Sequence, residues 1–374
     1  MRKRLVILAK YFPPETGGIE TFAYDLSEAL KGDFDLHVLA HARSIAGSDE
    51  QWDGFRVRRC GTWVSVLSQP FSPSMLTELS RLAPDIVQLN APNAFANLCW
   101  SFAARGIKLV ITHHADVLGR AMVKRFYTPL YRRAVASSHA VVVLSKKNAW
   151  NSVDLTQVEE KLVEIPPGVD PDLWRVDDEI LRDAAEFRAR LAGQAPVACF
   201  IGRLIPYKGL DVLLRAVARQ PTTYAFVAGD GPLRESLQQA AHAAGLAERF
   251  RLLGKVDERT KRIVLLASDL FVLPSVTAAE AFGIVQVEAQ LLGLPVVASD
   301  LPTGVTDVTV HEETGLLVTP GDDGALAAAM SRLFDDAELR SRLSAAGRQR
   351  ALERFSLVAF RNSYTALFRR IAAE

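Results

Sequence analysis

The sequence predicts an α/β protein built from two doubly wound, Rossmann-like domains. The chain has 374 residues, which is too long for a single hydrophobic core of ordinary size. Apolar runs of strand length alternate with helical patterns, which is typical of parallel sheets whose ligands bind at the carboxyl ends of the strands. A charged helical stretch at 170–194 separates two such series and indicates a connection between the domains.

Composition narrows the functional class. The 44 basic residues are balanced by 43 acidic ones, which disfavours a nucleic-acid binder that relies on a bulk positive field. Three distant cysteines fit neither a disulfide framework nor a zinc spacing, which favours a reducing cytoplasm. The apolar run 5–9 is too short for a signal peptide, and no run approaches the roughly 18 apolar residues of a membrane span. We therefore expect a cytoplasmic protein that meets a membrane, such as the inner face of the plasma membrane, only from its surface.

The first half begins with a strand, a loop and a helix. Gly17 and Gly18 lie in this loop, where adjacent glycines allow the backbone to approach a ligand and a helix start favours an anion, although such turns are common. No G-x-G-x-x-G follows the first strand, which disfavours a dinucleotide dehydrogenase. We expect strands at 5–8, 36–40, 55–58, 86–90, 109–112 and 141–145, and helices ending at Leu30 and spanning 74–82 and 94–105.

A histidine pair stands at the end of one predicted strand, in Thr112-His-His-Ala-Asp116. From the residues alone, His113 and His114 are either two capped surface residues or part of a metal site. The further ligands of such a metal site cannot be identified from spacing. Both interpretations remain open at this point.

The segment 117–153 has no acidic residue and forms a basic amphipathic pattern. It is either a solvated helix face or a patch that contacts anionic lipid or a lipid-diphosphate acceptor. At a charged membrane each nearby cation adds about 1 kcal/mol. The basic residues are Arg120, Lys124, Arg125, Arg132, Arg133, Lys146 and Lys147.

The second half repeats the alternation, with strands expected at 197–201, 224–227, 250–253, 269–275 and 295–298 and a final amphipathic helix at 355–373. Arg203 and Lys208 lie on either side of a turn after the first of these strands. They are either ordinary solvated cations or a pair that converges on one dianion, with a planar fork from Arg and a point charge from Lys.

A strand, loop and helix pattern ends in Ala278–Gly293, and we expect its helix to begin near Phe282. Glu280 then precedes the helix and Glu288 falls in its second turn, about 12 Å apart along a helix. At this spacing the carboxylates are unsuited to flanking one bond, but they can hold two parts of a long ligand. The alternative is a buried helix with two surface glutamates. The N–H groups near Gly283 favour an anion, so a phosphorylated, polyhydroxylated ligand is compatible with both features.

The stretch Glu280-Ala-Phe-Gly-Ile-Val-Gln-Val-Glu288 resembles the Glu-x7-Glu signature of retaining glycosyltransferases of the GT-B fold, family 4 in particular. The Gly17-Gly18-x-Glu20, Thr112-x-His114 and Gly202-Arg-Leu-x-x-x-Lys208-Gly209 segments resemble further elements of this family. The resemblance implies two Rossmann-like domains facing each other across a cleft. It assigns 1–170 to the acceptor, 171–355 to the nucleotide sugar, and 356–374 to a C-terminal helix that crosses back to the first domain.

The resemblance also implies residue roles. His114 faces the donor sugar, Glu280 holds the hydroxyls of that sugar, and Glu288 holds the ribose. Arg203 and Lys208 grip the diphosphate with the helix start, and Glu20 is expected to be a helix-start residue. Ala115 departs from the usual Ser and leaves Asp116 without a clear role, while Tyr207 replaces the commoner Glu, as in a mannosyltransferase-like branch. The remaining donor-binding positions are Gly17, Gly18, Val256 (through its backbone, for the base), Phe282, Gly283 and Ile284.

The function expected from this resemblance is retaining, metal-independent hexosyl transfer without a cofactor. The donor is a nucleotide diphosphate sugar, GDP-mannose first and UDP-hexoses next. The acceptor is a hydroxyl of a glycan or lipid-linked acceptor in surface-polysaccharide synthesis, such as lipopolysaccharide. Two other classes are a glycoside hydrolase or phosphorylase, which requires two carboxyls about 5–10 Å apart, and a non-catalytic sugar-nucleotide-binding protein.

Overall fold

The computed structural model describes residues 2–15, 17–66, 69–103, 106–114, 121–150, 152, 154–155 and 158–374, and the side chains of 121–126 lie outside this description. The chain divides into two compact units. The first consists of Met1–Gly168 and Leu357–Glu374, and the second consists of Val169–Ser356. Within the described ranges, no helix is both long enough and apolar enough to cross a bilayer.

The first unit is an open, mainly parallel sheet with helices on both faces. The strands of this sheet are β1 Arg4–Leu8, β2 Asp35–His41, β3 Ser48–Trp52, β4 Phe55–Cys60, β7 Ile86–Ala91, β8 Lys108–His113, β9 Ala140–Val143 and β10 Leu162–Glu164. A separate antiparallel pair consists of β5 Val64–Val66 and β6 Gln69–Phe71. The helices of the unit are α1 Gly18–Leu30, α2 Ser74–Leu82, α3 Ala94–Ala103, α4 Ala121–Ser137, α5 Lys146–Trp150 and α14 Leu357–Ala373, and a 3₁₀ turn spans Glu159–Lys161.

The strand order of this sheet is β10-β9-β8-β7-β1-β2-β4-β3. After β1 the chain adds β2, β4 and β3 on one side of the sheet, and β7 to β10 are added on the other side of β1. The loops after β1 and β7 are therefore neighbours at the carboxyl edge. Ligands of open α/β sheets bind at such a reversal. Side chains of β1 alternate between two cores, with Leu5 and Ile7 in one and Val6 and Leu8 in the other. The helices α1 and α14 pack together over the first of these cores.

The second unit is a parallel sheet in the order β13-β12-β11-β14-β15-β16. Its strands are β11 Val197–Ile201, β12 Tyr224–Ala228, β13 Phe250–Gly254, β14 Leu270–Leu273, β15 Val296–Ser299 and β16 Gly315–Val318. Its helices are α6 Asp178–Leu191, α7 Leu210–Ala218, α8 Arg234–Ala243, α9 Glu258–Leu266, α10 Ile284–Leu291, α11 Val305–Val308, α12 Asp323–Asp335 and α13 Ala337–Arg354, with 3₁₀ turns at Pro171–Trp174 and Pro206–Lys208. The order reverses between β11 and β14.

The charged stretch expected to be helical and to connect the domains contains a helix of the second unit. It forms α6, which begins where the Asp177 carboxylate accepts a hydrogen bond from the Ile180 N–H at 2.8 Å. The Arg188 guanidinium donates to both carboxylate oxygens of Asp269, at 3.0 and 2.9 Å. This fork fixes α6 to the start of β14, so the helix packs within the second unit.

The prediction of two doubly wound, parallel sheets is confirmed in both units. One strand that was not predicted is β3, Ser-Asp-Glu-Gln-Trp, which pairs antiparallel with β4 at the edge of the first sheet. It is largely exposed and therefore lacks the apolar run by which buried strands are recognised.

Candidate active site

The loops after β11 and β14 are held against each other where the second sheet reverses its order. Gly209 ends the first loop with φ of +67°, a conformation that favours glycine. A Cβ atom at this position would lie 2.0 Å from the Pro274 carbonyl oxygen, so the two backbones are in direct contact. The Val276 N–H also donates to the Tyr207 carbonyl at 2.8 Å. The two loops carry Lys208 and Glu280.

Lys208 and Glu280 form an ion pair within this loop contact. The Lys208 Nζ atom lies 2.6 Å from Glu280 Oε2, and the two side chains are only 14% and 7% exposed. Ser275 donates a hydrogen bond from its hydroxyl to the same carboxylate oxygen at 2.7 Å. Arg203 is exposed and has no ion pair or hydrogen bond to a side chain among the described residues. The charges of Lys208 and Glu280 therefore balance each other, whereas the Arg203 guanidinium in the same loop as Lys208 has no balancing carboxylate among the described residues.

The helix α10 follows Glu280 and begins at Ile284, two residues later than expected. Gly283 is its N-cap with φ of +68°, and a Cβ atom there would meet Leu273 Cδ2 at 2.4 Å. This left-handed residue ends the loop, which explains the later start. The first N–H groups of a helix have no acceptor within it, so those of Gly283 and Ile284 are available to an anion. The Phe282 side chain packs edge-on against Phe355 in the core, so only its backbone remains for a ligand.

Glu288 is buried in the second turn of α10 and is held by a lysine of the neighbouring helix α9. Lys261 Nζ lies 3.0 Å from Glu288 Oε1. The other carboxylate oxygen is buried without a hydrogen-bond partner among the described residues. Burial raises the pKa of Glu288, and the Lys261 ammonium acts in the opposite direction. A buried carboxylate oxygen without a hydrogen bond is uncommon in folded proteins, which makes Glu288 a candidate binding residue.

Two further loops lie at the same carboxyl edge. Val256 follows β13 and is partly buried against the core of the second unit. The Gly304 N–H, after β15, donates to the Ala281 carbonyl at 2.9 Å and fixes the segment between Glu280 and α10. The structure therefore brings Lys208 and Glu280 into contact, while Glu288 has a separate set of partners.

In the first unit, Gly17 and Gly18 lie at the edge where the strand order reverses between β1 and β7. Both glycines are exposed, Gly17 is the N-cap of α1, and Gly18 is its first residue. Glu20 lies in the first turn of this helix, as expected for a helix-start residue. Its carboxylate reaches back towards Gly17, where an added Cβ atom would lie 2.2 Å from Oε2.

The two histidines after β8 have different partners. His114 Nε2 lies 3.1 Å from Asn90 Oδ1, and its backbone N–H donates to the Ala91 carbonyl at 3.0 Å. His113 Nδ1 instead lies 2.8 Å from the Tyr131 hydroxyl. Burial lowers the pKa of His114 to about 3, and electrostatic repulsion from His113 makes a smaller contribution in the same direction. The imidazole of His114 is therefore neutral at pH 7. Among the described residues, no group of three or more His, Cys, Asp or Glu side chains is arranged to hold a metal ion.

The predicted basic patch is described only in part. Arg132 and Arg133 are exposed on α4. Arg120 and Asp116 lie outside the described residues, and so do the side chains of Lys124 and Arg125. The role of this patch stays a prediction.

Three partners of the candidate residues were not predicted: Ser275 and Lys261 in the second unit and Asn90 in the first. Ser275 was noted only as part of a strand end, and Lys261 belongs to a charged helix without a motif. Asn90 ends a predicted strand next to that of His114, because β7 and β8 pair with Asn90 opposite Thr112. Neighbouring strand ends were therefore the one signal that could have placed Asn90 near His114.

Comparisons with known proteins identify the family. The family model for "Glycosyl transferases group 1" matches residues 182–350. The model for "Glycosyltransferase Family 4" matches residues 16–173. D-rhamnosyltransferase WbpZ of Pseudomonas aeruginosa is 31% identical over 329 residues, which are 87% of this chain and 84% of that protein. The chain belongs to the family 4 glycosyltransferases. This glycosyltransferase is also 27% identical to O-antigen chain mannosyltransferase C of Escherichia coli over 371 residues, 97% of this chain and 98% of the relative.

The fold of this glycosyltransferase is shared with solved structures. Sucrose-phosphate synthase from Thermosynechococcus elongatus matches with a TM-score of 0.79 at 21% identity, and the match covers 100% of both chains. The predicted GT-B fold class and the family are therefore confirmed.

Proposed function

We propose that this glycosyltransferase moves a hexose from a nucleotide diphosphate sugar to a hydroxyl of a glycan or lipid-linked acceptor, with retention at the anomeric carbon. Family membership supports sugar transfer. The second unit is proposed to bind the donor, and the first unit to bind the acceptor and supply His114. No metal ion or cofactor is required in this proposal.

The observation that carries the proposal is the contact of Lys208 with Glu280 beside the start of α10. The leaving group of the reaction is a nucleoside diphosphate, whose negative charge grows as the glycosidic bond breaks. Lys208, Arg203 and the N–H groups at Gly283 supply positive potential for this charge. Glu280 is proposed to accept hydrogen bonds from the sugar hydroxyls and thereby to place the anomeric carbon close to Lys208.

The proposed donor is GDP-mannose. Tyr207-Lys208-Gly209 and Thr303-Gly304-Val305 resemble the mannosyltransferase-like branch. The two relatives are named for mannosyl and D-rhamnosyl transfer. D-rhamnose is the 6-deoxy form of D-mannose, so both sugars present the same arrangement of hydroxyls at carbons 2, 3 and 4. A UDP-hexose is the alternative donor.

The proposed pathway is the synthesis of a surface polysaccharide, because one relative is named for the O-antigen chain. The basic face of α4, including Arg132 and Arg133, is proposed to contact an anionic membrane or the diphosphate of a lipid-linked acceptor. The protein is proposed to act in the cytoplasm at the inner face of the membrane.

A donor screen tests the proposal. The full chain is incubated with GDP-, UDP-, dTDP- and ADP-sugars, and the thermal midpoint and nucleoside diphosphate release are measured with and without EDTA. We expect GDP-mannose to raise the midpoint and to be turned over in both conditions, because a ligand bound by the folded state stabilises it. Lys208→Met is expected to lose both effects, whereas Arg182→Met, which removes an exposed cation of α6, retains them.

The outcomes separate the parts of the proposal. A shift and turnover with a UDP-hexose alone would exclude GDP-mannose. Binding without turnover of any sugar in the presence of glycan and lipid-linked acceptors would contradict a transferase. Inversion in the product, seen in the anomeric carbon–proton coupling, would contradict retention.

A further inference from the structure

A chain of buried polar side chains connects the C-terminal helix to His114 within the first unit. The Tyr364 hydroxyl lies 3.3 Å from Thr112 Oγ1, and Gln88 Nε2 donates to Thr112 Oγ1 at 3.0 Å. Gln88 and Asn90 pair through both amide groups, at 3.1 and 3.2 Å. The chain ends where Asn90 Oδ1 lies 3.1 Å from His114 Nε2. Apart from His114, every member is at least 98% buried.

The direction of these hydrogen bonds determines where the proton of the imidazole lies. Asn90 Nδ2 donates to Gln88 Oε1, and this leaves Asn90 Oδ1 facing His114. An amide oxygen can only accept, so the hydrogen of a neutral His114 ring must be on Nε2. Nδ1 then carries the free lone pair, and it has no hydrogen bond within the described part of the chain.

The surroundings of the ring favour its neutral form. The Phe22 ring meets it edge-on, with centroids 4.6 Å apart. Among the described residues, His113 is the one titratable group that acts electrostatically on His114. A buried network whose members are all hydrogen-bonded is rigid, because an unpaired buried polar group is costly. No carboxylate of the described chain contacts the ring to stabilise an imidazolium.

We propose that Asn90 is a positioning residue for His114, which it holds through the Gln88–Thr112–Tyr364 chain in the Nε2–H tautomer. The proposal rests on the role of His114 in the proposed function. The oriented ring then offers Nδ1 as a hydrogen-bond acceptor for a hydroxyl group of the substrate. An amide is suited to this task because it fixes the tautomer without adding a negative charge.

The tautomer can be measured without any activity assay. In ¹⁵N-histidine-labelled full-length protein, long-range proton–nitrogen correlations distinguish the Nε2–H, Nδ1–H and doubly protonated forms. The His114 signal is assigned by its loss in His114→Gln. We expect wild-type His114 to be the neutral Nε2–H form from pH 8 to pH 5. A His114 signal from the Nδ1–H form, or an average of both tautomers, would overturn the proposal.

Asn90→Asp tests the same contact through activity. The carboxylate still accepts from Nε2–H but adds a charge, so we expect His114 to become doubly protonated near neutral pH. The kcat is then expected to fall about tenfold for each pH unit below the raised pKa and to recover at high pH. Asn97→Leu is the control, because Asn97 is also a fully buried amide of the first unit, and its side chain has no hydrogen bond among the described residues. It should change neither the tautomer nor the pH profile.

The two proposals fail in different ways. If wild-type His114 is the Nε2–H form but His114→Ala retains full kcat, the hydrogen-bond chain stands and the catalytic role of His114 is wrong. If Asn90→Asp folds with an unchanged His114 signal and an unchanged pH profile, the positioning role of Asn90 is wrong, whatever the donor.

Discussion

Lys208 and Glu280 are 72 positions apart in the sequence and meet as a mostly buried ion pair. Such a pair contributes little net stability, because desolvation offsets the attraction, but removal of one partner leaves an uncompensated charge. The same two groups are proposed to bind the donor. Stability and function can therefore be separated at this pair by comparing single and double substitutions.

Glu280→Leu is expected to lower the free energy of unfolding by about 3 kcal/mol, because Lys208 and the Ser275 hydroxyl lose their acceptor. The double variant Lys208→Met/Glu280→Leu should recover most of this loss, since neither charge remains, but neither variant should transfer sugar. Urea unfolding and nucleoside diphosphate release measure the two effects. A double variant as unstable as the single one, or one that still turns over donor, would contradict this expectation.

His41 makes the first unit sensitive to acid. It is 1% exposed, and burial lowers its pKa to about 4. Between an unfolded pKa of about 6.5 and the folded value, the unfolded chain takes up a proton that the folded chain does not. Stability is therefore lost as pH falls through this window, by at most about 1.4 kcal/mol per pH unit.

Urea unfolding at pH 7 and pH 5 tests this effect. We expect the wild-type protein to lose more stability between these values than His41→Gln, which cannot titrate. His242→Gln, which removes an exposed histidine of α8, serves as the control and should behave like the wild type. Equal losses in wild type and His41→Gln would show that other groups cause the acid sensitivity.

At the scale of secondary-structure elements, the sequence predicted what depends on local patterns. The strand β11 and the helix α2 have the expected bounds. The strand is buried on both faces and therefore reads as a continuous apolar run, and the helix is buried on one side and therefore shows helical periodicity. The start of α10 was placed two residues early because Gly283 adopts a left-handed conformation, at a position where the Leu273 side chain leaves no space for a Cβ atom. A single sequence does not reveal such a contact.

Gly209→Ala tests the loop contact that brings Lys208 to Glu280. An added methyl group would have to adopt the left-handed conformation and would meet the Pro274 carbonyl oxygen at 2.0 Å. We expect a loss of more than about 2 kcal/mol in unfolding free energy together with a loss of donor binding. Both can be followed by thermal melting with and without GDP-mannose.

Gly245→Ala is the matched control for this substitution. Gly245 has φ of +69°, and a Cβ atom there would meet no atom within 4 Å. It carries the same conformational cost of about 1 kcal/mol without the collision. If both variants lose the same stability and both still bind donor, the contact between the two loops is not important for the site.

At the scale of the whole molecule, the sequence pointed to candidate residues but did not show which side chains they contact. Glu288 was assigned to a ligand by resemblance, but its partner Lys261 comes from a helix 27 residues earlier. Asn90 and His114 meet because β7 and β8 are parallel neighbours. Such pairs depend on strand order, which the local patterns of a sequence do not determine.

Donor binding should protect the carboxyl edge of the second unit. Hydrogen exchange with mass spectrometry is carried out on the full chain with GDP, UDP or no nucleotide. We expect the matching nucleotide to slow exchange in 202–209 and 274–288, because its diphosphate bonds the N–H groups near Gly283 and orders the loop of Lys208. The edges remote from this reversal, such as β16, should not change. Protection confined to the first unit would place the donor site elsewhere. Because Lys208 is proposed to bind the diphosphate, Lys208→Met should reduce the protection by nucleotide. Exchange of this variant without nucleotide should equal that of the wild type.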